Sequence, residues 1–309
     1  MTTQNIILGQ GTPSPLKGML TLPDDLSAPV PAVVLVHGSG SSNMDEKLNQ
    51  LTPFKDIAEG LAKLGIATLR YDKRSFTYGL KMVMSKTVIT VKEETTEDAI
   101  LAGQLLKATP GIDPEKVFLL GHSMGGMLAP RIDAEGGDFR GLILLAGSPR
   151  KLEEILLEQL AKIGEESGRL VQKILAGQIR KYEKTFHGLY DLTDEEAKAR
   201  KFGGGTTLYY FKEMGEHAPE SYLKELTKPI LVLQGGKDFQ VRADVDYAAY
   251  QQILSGHPNA TFRLYPELNH LFMNSVYGKI SQSKEEYRVK QTLNPQVIAD
   301  IAAWIHENK

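Results

Sequence analysis

Six short apolar runs, each bounded by turn-forming residues, constrain the fold of this chain more than any other feature of its sequence. Each run holds several consecutive apolar residues rather than an alternating pattern, which is typical of strands buried on both faces of a sheet. Stretches of helical character separate the runs, and this alternation is typical of a mainly parallel sheet. The runs are PAVVLVHG (31–38), GIATLRYD (65–72), KVFLLGHS (116–123), GLILLAGS (141–148), KPILVLQGG (228–236) and ATFRLYPE (260–267).

Two further strands are predicted near the N-terminus, where IILGQG and LKGMLTLP have the pattern of an antiparallel hairpin that leads into the sheet. The predicted fold is therefore α/β, with a mainly parallel sheet of about eight strands and helices on both faces. The predicted helices are Phe54 to Leu64, Thr96 to Ala108, Met124 to Glu135, Ala243 to Leu254 and Pro295 to Glu307.

Composition excludes several classes of protein. Of 309 residues, 41% are hydrophobic and 24% are charged, which is ordinary for a soluble globular protein. The formal net charge of −2 argues against a nucleic-acid surface or a polybasic membrane anchor. The absence of cysteine excludes disulfides, thiolate metal sites and cysteine nucleophiles. The start MTTQNIILGQG does not resemble a signal peptide, and no apolar run approaches the ~20 residues of a membrane span, so we expect a cytoplasmic protein.

One long segment breaks the alternation. Residues 151–227 contain no strand candidate and are rich in charged, helix-favouring sequence, so we expect a helical insertion between core segments 1–150 and 228–309. An insertion at this place is expected to form a cap, or lid, over an active site, although it could simply hold its own small core. It contains many of the aromatic residues, namely Tyr182, Phe186, Tyr190, Phe202, Tyr209, Tyr210, Phe211 and Tyr222.

The stretch GHSMGG (121–126) predicts a nucleophile. A strand that reverses sharply into a helix would leave Ser123 strained at the tip of the turn, where Gly121 and Gly125 avoid collisions. Met124 would then begin the helix, and its N–H would have no intrahelical partner. An exposed hydroxyl beside such a donor suits a serine nucleophile with an oxyanion hole. An incidental glycine-rich junction would have the same pattern.

A base for this serine can be chosen among seven histidines. His270, in YPELNH, follows the last predicted strand, and the carboxyl ends of parallel strands meet at one edge of a sheet. His122 lies inside the turn, and His37 at the end of a strand is better suited to shaping a loop. The others lie in the predicted insertion (His187 and His217) or at helix ends (His257 and His306).

The orienting acid is predicted at Asp238, since it follows the strand PILVLQGG and so reaches the same edge. Asp244 and Asp246 fall on the next helix, and Glu267 lies on the strand side of the histidine loop. The order along the chain is then serine, aspartate, histidine.

With these motifs, the chain resembles the α/β-hydrolases of the serine esterase type, over nearly its whole length. The resemblance rests on five motifs in order, and among such enzymes it is greatest to bacterial carboxylesterases with a helical cap after the sixth strand. It implies that the N–H after His37-Gly38, that of Ser39, is the second oxyanion donor, with Gly40 as the neighbouring alternative. Related enzymes carry YDKRG where this chain has Ser75. The motifs are HGSG (37–40), YDKR (71–74), GHSMGG (121–126), LQGGKDFQV (233–241) and YPELNH (265–270).

The predicted function is hydrolysis of small carboxylic esters through an acyl-enzyme, with Ser123 as nucleophile, His270 as base and Asp238 as orienting acid. The substrate would be a small molecule, no metal or organic cofactor is implied, and a monomer and a homodimer both remain open. An aminopeptidase or acyl-peptide hydrolase would use the same triad with a clamp for the substrate amine, for which Glu213 or Glu216 could serve. A binding protein without activity would be expected to lack a triad member.

The stretch LYYF (208–211) places three rings in a row within the predicted insertion. Three successive helical residues span most of the helix circumference, so at least one ring should face the cleft or solvent. We therefore predict that Tyr209, Tyr210 and Phe211 contribute to substrate binding and favour short or aromatic esters. The alternative is that they only hold the insertion together.

Overall fold

Ten strands occur in the computed structural model, which describes residues 1–84, 88–203 and 205–309. Eight of them form one sheet, and two form a separate small hairpin. The strands are β1 (Thr2–Leu8), β2 (Leu16–Leu22), β3 (Val30–Val36), β4 (Ala67–Tyr71), β5 (Ile112–His122), β6 (Leu142–Leu145), β7 (Lys201–Gly203), β8 (Thr206–Thr207), β9 (Ile230–Gly235) and β10 (Ala260–Tyr265).

The main sheet has the strand order β1-β2-β4-β3-β5-β6-β9-β10. Strands β4, β3, β5, β6, β9 and β10 run parallel, while β1 and β2 form the predicted antiparallel hairpin at one edge. The predicted α/β class is confirmed. Because the six parallel strands point the same way, the residues that follow β5, β9 and β10 meet at one edge of the sheet, here called the carboxyl edge.

Helices cover both faces of this sheet. They are α1 (Pro53–Lys63), α2 (Arg74–Met84), α3 (Glu97–Lys107), α4 (Met124–Ile132), α5 (Leu152–Glu166), α6 (Arg169–Phe186), α7 (Asp194–Ala199), α8 (Leu208–Glu216), α9 (Pro219–Glu225), α10 (Ala248–Ile253), α11 (Ser283–Glu286) and α12 (Pro295–Asn308).

The two faces of β3 show why its apolar run is unbroken. Val33 and Leu35 pack into one core cluster with α1 and α12, and Val34 and Val36 pack into another with α3 and α4. Successive side chains of a strand point to opposite faces, so a strand covered on both sides needs apolar residues at every position.

The predicted start of the last helix has a simple cause. The Asn294 side chain accepts a hydrogen bond from the Gln296 N–H at 2.9 Å, and Pro295 occupies the first helical turn. Such a cap satisfies a backbone donor that has no partner within the helix.

The insertion, residues 151–227, connects β6 to β9 and contains helices α5 to α9. The expectation that it has no strand is wrong, because β7 and β8 pair as a short antiparallel hairpin. The two strands have three and two residues, so they are too short to produce a periodic pattern. Four rings of the insertion pack together with neighbouring centroids 4.7–6.3 Å apart, namely Tyr182, Phe186, Phe202 and Phe211.

Helix α2 has no counterpart among the predicted elements. It follows the YDKR motif, has no buried residue, and leaves Leu80 and Met84 largely exposed. Arg74 fixes its start, because the guanidinium donates to both carboxylate oxygens of Asp98. Across the parts of the chain described, no helix combines the length and apolar character that crossing a membrane requires.

Candidate active site

Ser123 lies at the junction between β5 and α4, in a backbone conformation that is rare for a residue with a side chain. Its φ is 54° and its ψ is −117°. The turn is held by backbone hydrogen bonds, from Ser123 N–H to the Leu145 carbonyl at 2.8 Å and from Met127 N–H to the Ser123 carbonyl at 3.0 Å. A strained residue persists only where the surrounding structure over-determines it, and such residues cluster at functional sites.

The glycines on either side of Ser123 allow the backbone to approach itself. A Cβ on Gly121 would overlap the carbonyl group of Gly125, and a Cβ on Gly125 would overlap the carbonyl oxygen of Val36 in β3. A side chain at either position would force the strand, turn and helix apart. The sequence predicts crowding at this turn, and in the structure β3 takes part in it as well.

Asp238 and His270 form a hydrogen-bonded pair at the carboxyl edge. His270 Nδ1 lies 2.7 Å from Asp238 Oδ2, and both residues are buried. Asp238 also accepts bonds from the Gln234 amide and from the N–H groups of Gln240 and Val241. A carboxylate can only accept hydrogen bonds, so in its bond to this carboxylate Nδ1 of His270 is the donor and Nε2 is the nitrogen that faces away from Asp238.

The loop that carries His270 is supported from two sides. Asn269 Oδ1 accepts from the N–H groups of Leu271 and Met273, and Asn269 Nδ2 donates to Glu286 Oε1 at 2.9 Å. On the other side, His122 donates from Nε2 to the His270 carbonyl at 3.0 Å. His122 thus connects the serine turn to the histidine loop.

The predicted site residues fall into two groups, a hydrogen-bonded pair and a set that lines one cavity. Asp238 and His270 are bonded, while Ser123, Ser39 and Met124 line a common cavity of about 310 Å³ with Gln240 and Val241. Within residues 1–84, 88–203 and 205–309, the His270 side chain forms a hydrogen bond with Asp238 and with no other side chain, so none joins it to Ser123. Catalytic hydrogen bonds are often long or poorly aligned without substrate and tighten in the complex.

A second, larger cavity of about 660 Å³ adjoins the first. Ser39, Met124, Leu152, Phe202 and Phe211 line both cavities, so this group separates two chambers of one cleft. A polar groove of about 930 Å³ lies elsewhere, around Lys107 and Lys228, and none of the predicted site residues lines it.

The three rings of LYYF face different surroundings. Phe211 lines both chambers of the cleft, and Tyr210 lines the larger one. Tyr209 lines a separate depression with Arg131, and the Lys198 ammonium lies 4.7 Å from its ring centroid.

Comparison with known proteins identifies the family. Residues 27–276 match the family of hydrolases described as serine aminopeptidase, S33. The chain belongs to this family. The matched region includes the serine turn, the insertion and the loop of His270, and the predicted membership of the α/β-hydrolases is confirmed.

Relatives of this S33-family chain include proteins named as esterases. The chain is 37% identical over 290 residues to Esterase EstD of Thermotoga maritima, a match that spans 94% of this chain and 65% of that protein's length. In structure it is similar to Est1E from Butyrivibrio proteoclasticus (TM-score 0.57, 15% identity, 98% of each chain). It is equally similar to the esterase domain of a Rhodothermus marinus protein (TM-score 0.58, 16% identity, 99% of each chain). The resemblance to serine esterases agrees with these names.

The S33-family chain also has charged groups beneath the site that the sequence analysis missed. Glu46 Oε2 lies 3.0 Å from His122 Nδ1, and both side chains are largely buried. Burial opposes the charge of His122, but Glu46 and the His270 carbonyl together raise its pKa. Burial lowers the pKa of the nearby His37 to about 4, and the Asn43 carbonyl accepts from its Nε2 at 2.9 Å.

Proposed function

We propose that the protein is a serine carboxylesterase that cleaves small esters through an acyl-enzyme, with Ser123, His270 and Asp238 as its triad. The observation that carries this proposal is the backbone of Ser123, which holds a hydroxyl at positive φ beside a cavity and at the start of a helix. A strained backbone costs about 1–3 kcal/mol of stability, and the conformation suits a nucleophile that must approach a carbonyl carbon.

The reaction follows from the roles that these side chains can take. Ser123 Oγ attacks the ester carbonyl while its proton passes to Nε2 of His270, whose Nδ1–H is held by Asp238. The tetrahedral intermediate expels the alcohol, which takes the proton from Nε2, and the acyl group stays on Ser123. A water molecule then attacks the acyl carbon while it loses a proton to the same nitrogen. The bond between the acyl carbon and Ser123 Oγ breaks, Oγ takes the proton from Nε2, and the acid is released.

The negative charge of the intermediate needs preorganised donors. We assign this role to the N–H groups of Met124 and Ser39. Met124 is the first residue of α4, where an N–H has no partner in the helix and the helix dipole favours an anion. Ser39 lines the same chamber as Ser123, whereas Gly40 lines only the larger chamber, so Ser39 is the better choice of the two.

The insertion is proposed to be the cap over this site, with 1–150 and 228–309 as the core domain. This proposal is supported by the lining of the chamber that contains Ser123, to which the insertion contributes Leu152, Ile155, Phe202 and Phe211. Substrate would then lie between the carboxyl edge and the insertion.

The smaller chamber favours an uncharged acyl group. Its lining holds apolar side chains and a few neutral polar ones, with no charged residue among those described. At about 310 Å³ it suits a short-chain or aryl acyl group, which would be stabilised by contact with the Phe211 ring.

An aminopeptidase is the alternative that the family description raises, and the surroundings of the candidate acids disfavour it. Glu213 accepts hydrogen bonds from both terminal nitrogens of Arg131, and Glu216 accepts one from the Lys212 ammonium. Neither lines a chamber of the cleft. An acid already neutralised by a partner and turned away from the cleft cannot clamp a substrate amine.

Two measurements test the proposed function. The first is turnover of p-nitrophenyl esters of two to twelve carbons beside aminoacyl p-nitroanilides. We expect short esters to be hydrolysed at least a hundredfold faster than any anilide, and the reverse ranking would favour the aminopeptidase. The second is labelling by a fluorophosphonate, which should be lost in Ser123→Ala and retained in Ser221→Ala, an exposed serine in α9.

A further inference from the structure

The peptide unit between Gly38 and Ser39 is held by a buried lysine. Lys73 Nζ donates to the Gly38 carbonyl at 2.8 Å, and on the preceding peptide the Gly38 N–H donates to Glu46 Oε1 at 2.9 Å. Peptide bonds in the described chain are trans, so the carbonyl of Gly38 and the N–H of Ser39 point in opposite directions. A carbonyl held by Lys73 therefore turns the Ser39 N–H away from the lysine.

The position of Ser39 shows what lies on that opposite side. Ser39 lines the chamber that contains Ser123, and Gly38 lies so close to the serine that a Cβ there would be 3.1 Å from Ser123 Cβ. Rotation of the 38–39 peptide would move the N–H out of reach of an intermediate on Ser123. Its orientation thus decides whether a second oxyanion donor exists.

The charge of Lys73 is costly for the fold. Only 2% of the residue is exposed, and burial lowers its pKa, an effect that Glu94 and Glu46 oppose. Glu94 Oε1 lies 3.5 Å from Nζ, and Glu94 Oε2 accepts from the Tyr210 hydroxyl at 2.9 Å. An apolar residue of similar volume often serves stability as well as a buried ion pair does, so packing alone does not account for an ammonium here.

We propose that Lys73 is a positioning residue for ester hydrolysis, which holds the 38–39 peptide so that the Ser39 N–H faces the oxyanion. A cation on the carbonyl oxygen also polarises the peptide and strengthens its N–H as a donor, because hydrogen bonds in a chain reinforce one another. Glu94 holds the ammonium through their ion pair and is itself held by the Tyr210 hydroxyl. The inference rests on the proposed function, since it assigns a support to its oxyanion hole.

The decisive variant is Lys73→Met, which keeps most of the length of the side chain and removes its charge. We expect kcat for p-nitrophenyl butyrate to fall about 10- to 100-fold with KM changed less than threefold. Loss of an entire oxyanion donor costs about 10² to 10³ in kcat, and a donor that is only misdirected should cost less. A protein with unchanged kcat would overturn the proposal.

A thionoester separates positioning from general damage to the fold. It places sulfur, a weak hydrogen-bond acceptor, where the oxyanion forms, so a working oxyanion hole favours the oxygen ester. In Lys73→Met the preference for the oxygen ester, as a ratio of kcat/KM values, should drop about tenfold. A purely structural role would lower both rates together and leave this ratio unchanged, which would also overturn the proposal.

Two further variants complete the test. Lys73→Met leaves the Glu94 carboxylate without its cationic partner, so the double variant Lys73→Met/Glu94→Gln should recover stability but not the ratio; recovery of both would refute a positioning role. Lys212→Met is the matched control, because Lys212 is also a buried lysine bonded to two acids, Asp194 and Glu216, yet lies outside the cleft. It should lose stability and keep the wild-type ratio.

The same measurements distinguish a failure of the proposed function from a failure of the role of Lys73. If wild-type ester hydrolysis does not depend on Ser123, the proposed function fails and the role of Lys73 fails with it. If hydrolysis depends on Ser123 while Lys73→Met keeps both kcat and the ratio, only the role of Lys73 is refuted.

Discussion

The carboxyl edge of the sheet and the insertion that lies against it are built in different ways. At the edge, the proposed acid Asp238 accepts four hydrogen bonds, and the loop of His270 is bonded to both sides. In the insertion, helix α6 has no buried residue, and Leu170 and Ile174 are more than half exposed. Hydrogen bonds with defined directions hold the proposed chemical groups, whereas packed rings form the wall of the cleft.

This difference matters because the two kinds of contact tolerate change differently. A hydrogen-bonded group is displaced or left unsatisfied when one partner is lost, at a cost of about 1–3 kcal/mol for each buried polar group. Apolar contacts are not directional, and a packed cluster can adjust to a changed side chain. Changes at the carboxyl edge should therefore abolish turnover, while changes in the insertion should shift the choice of substrate.

The largest effect is expected for Asp238→Asn. The amide has nearly the same volume but can donate a hydrogen bond to Nδ1 of His270. This favours the tautomer with the proton on Nε2, and a protonated Nε2 cannot take the proton of Ser123. We expect kcat to fall by about 10³ to 10⁴, with the melting temperature within a few degrees of wild type. Steady-state kinetics with a short ester would measure this.

Glu267→Gln is the control for that prediction, because Glu267 lies in the same loop as His270 and is exposed. It should keep wild-type kcat. An active Asp238→Asn protein beside an inactive Glu267→Gln protein would show that the acid has been assigned to the wrong residue.

Gly125→Ala should affect folding more than any single change in the insertion. Its methyl group would collide with the Val36 carbonyl, which belongs to a central strand and cannot move freely. We expect a loss of several kcal/mol in the free energy of unfolding, because overpacking against backbone forces strain on the core. Gly177→Ala in α6, where a Cβ would come no closer than 4.0 Å to a neighbour, the end of the Arg180 side chain, should be neutral or slightly stabilising. Equal urea midpoints for the two variants would contradict this picture.

The sequence predicts well those site residues whose positions follow from a short local motif. The glycines around Ser123 and the strand ends before Asp238 and His270 are visible in short motifs, and the structure places these residues at one edge. Glu46 and Glu94 were missed, because each lies in a stretch without a motif and meets its partner only through the fold. Glu46 contacts His122, and Glu94 contacts Lys73 and Tyr210. Nothing near either glutamate along the chain indicates those partners.

A buried histidine at the carboxyl edge should make stability depend on pH. His37 has a pKa of about 4 in the folded protein, against 6.5 for a free side chain, so only the unfolded chain binds a proton between these values. As pH falls from about 6.5 to 4 the unfolded state is favoured, at a cost of about 3 kcal/mol, and the loss levels off below that.

His37→Gln tests this, since an amide can donate to the Asn43 carbonyl but does not titrate. Urea unfolding at pH 7, 5.5 and 4.5 should give a shallower decline for the variant than for wild type. If both proteins lose stability in parallel, another group carries the acid sensitivity. The expected effect is on stability, not on the choice of substrate.

The smallest effect, and the one that sets the insertion apart, concerns Phe211. Its ring belongs to the packed aromatic cluster and also lines both chambers of the cleft, so Phe211→Ala should enlarge the smaller chamber as well as weaken the cluster. Each additional CH₂ that becomes buried is worth about 0.8 kcal/mol, roughly a fourfold gain in kcat/KM. We expect the preferred acyl chain to lengthen by one or two carbons, measured as kcat/KM across p-nitrophenyl esters.

Phe186→Ala is the matched control, because Phe186 packs on Phe211 and Phe202 but lines neither chamber. It should lower the melting temperature by a similar amount and leave the ranking of esters unchanged. If both variants lose stability and neither changes the ranking, the rings serve only the packing of the insertion, and the acyl group binds against the carboxyl edge instead.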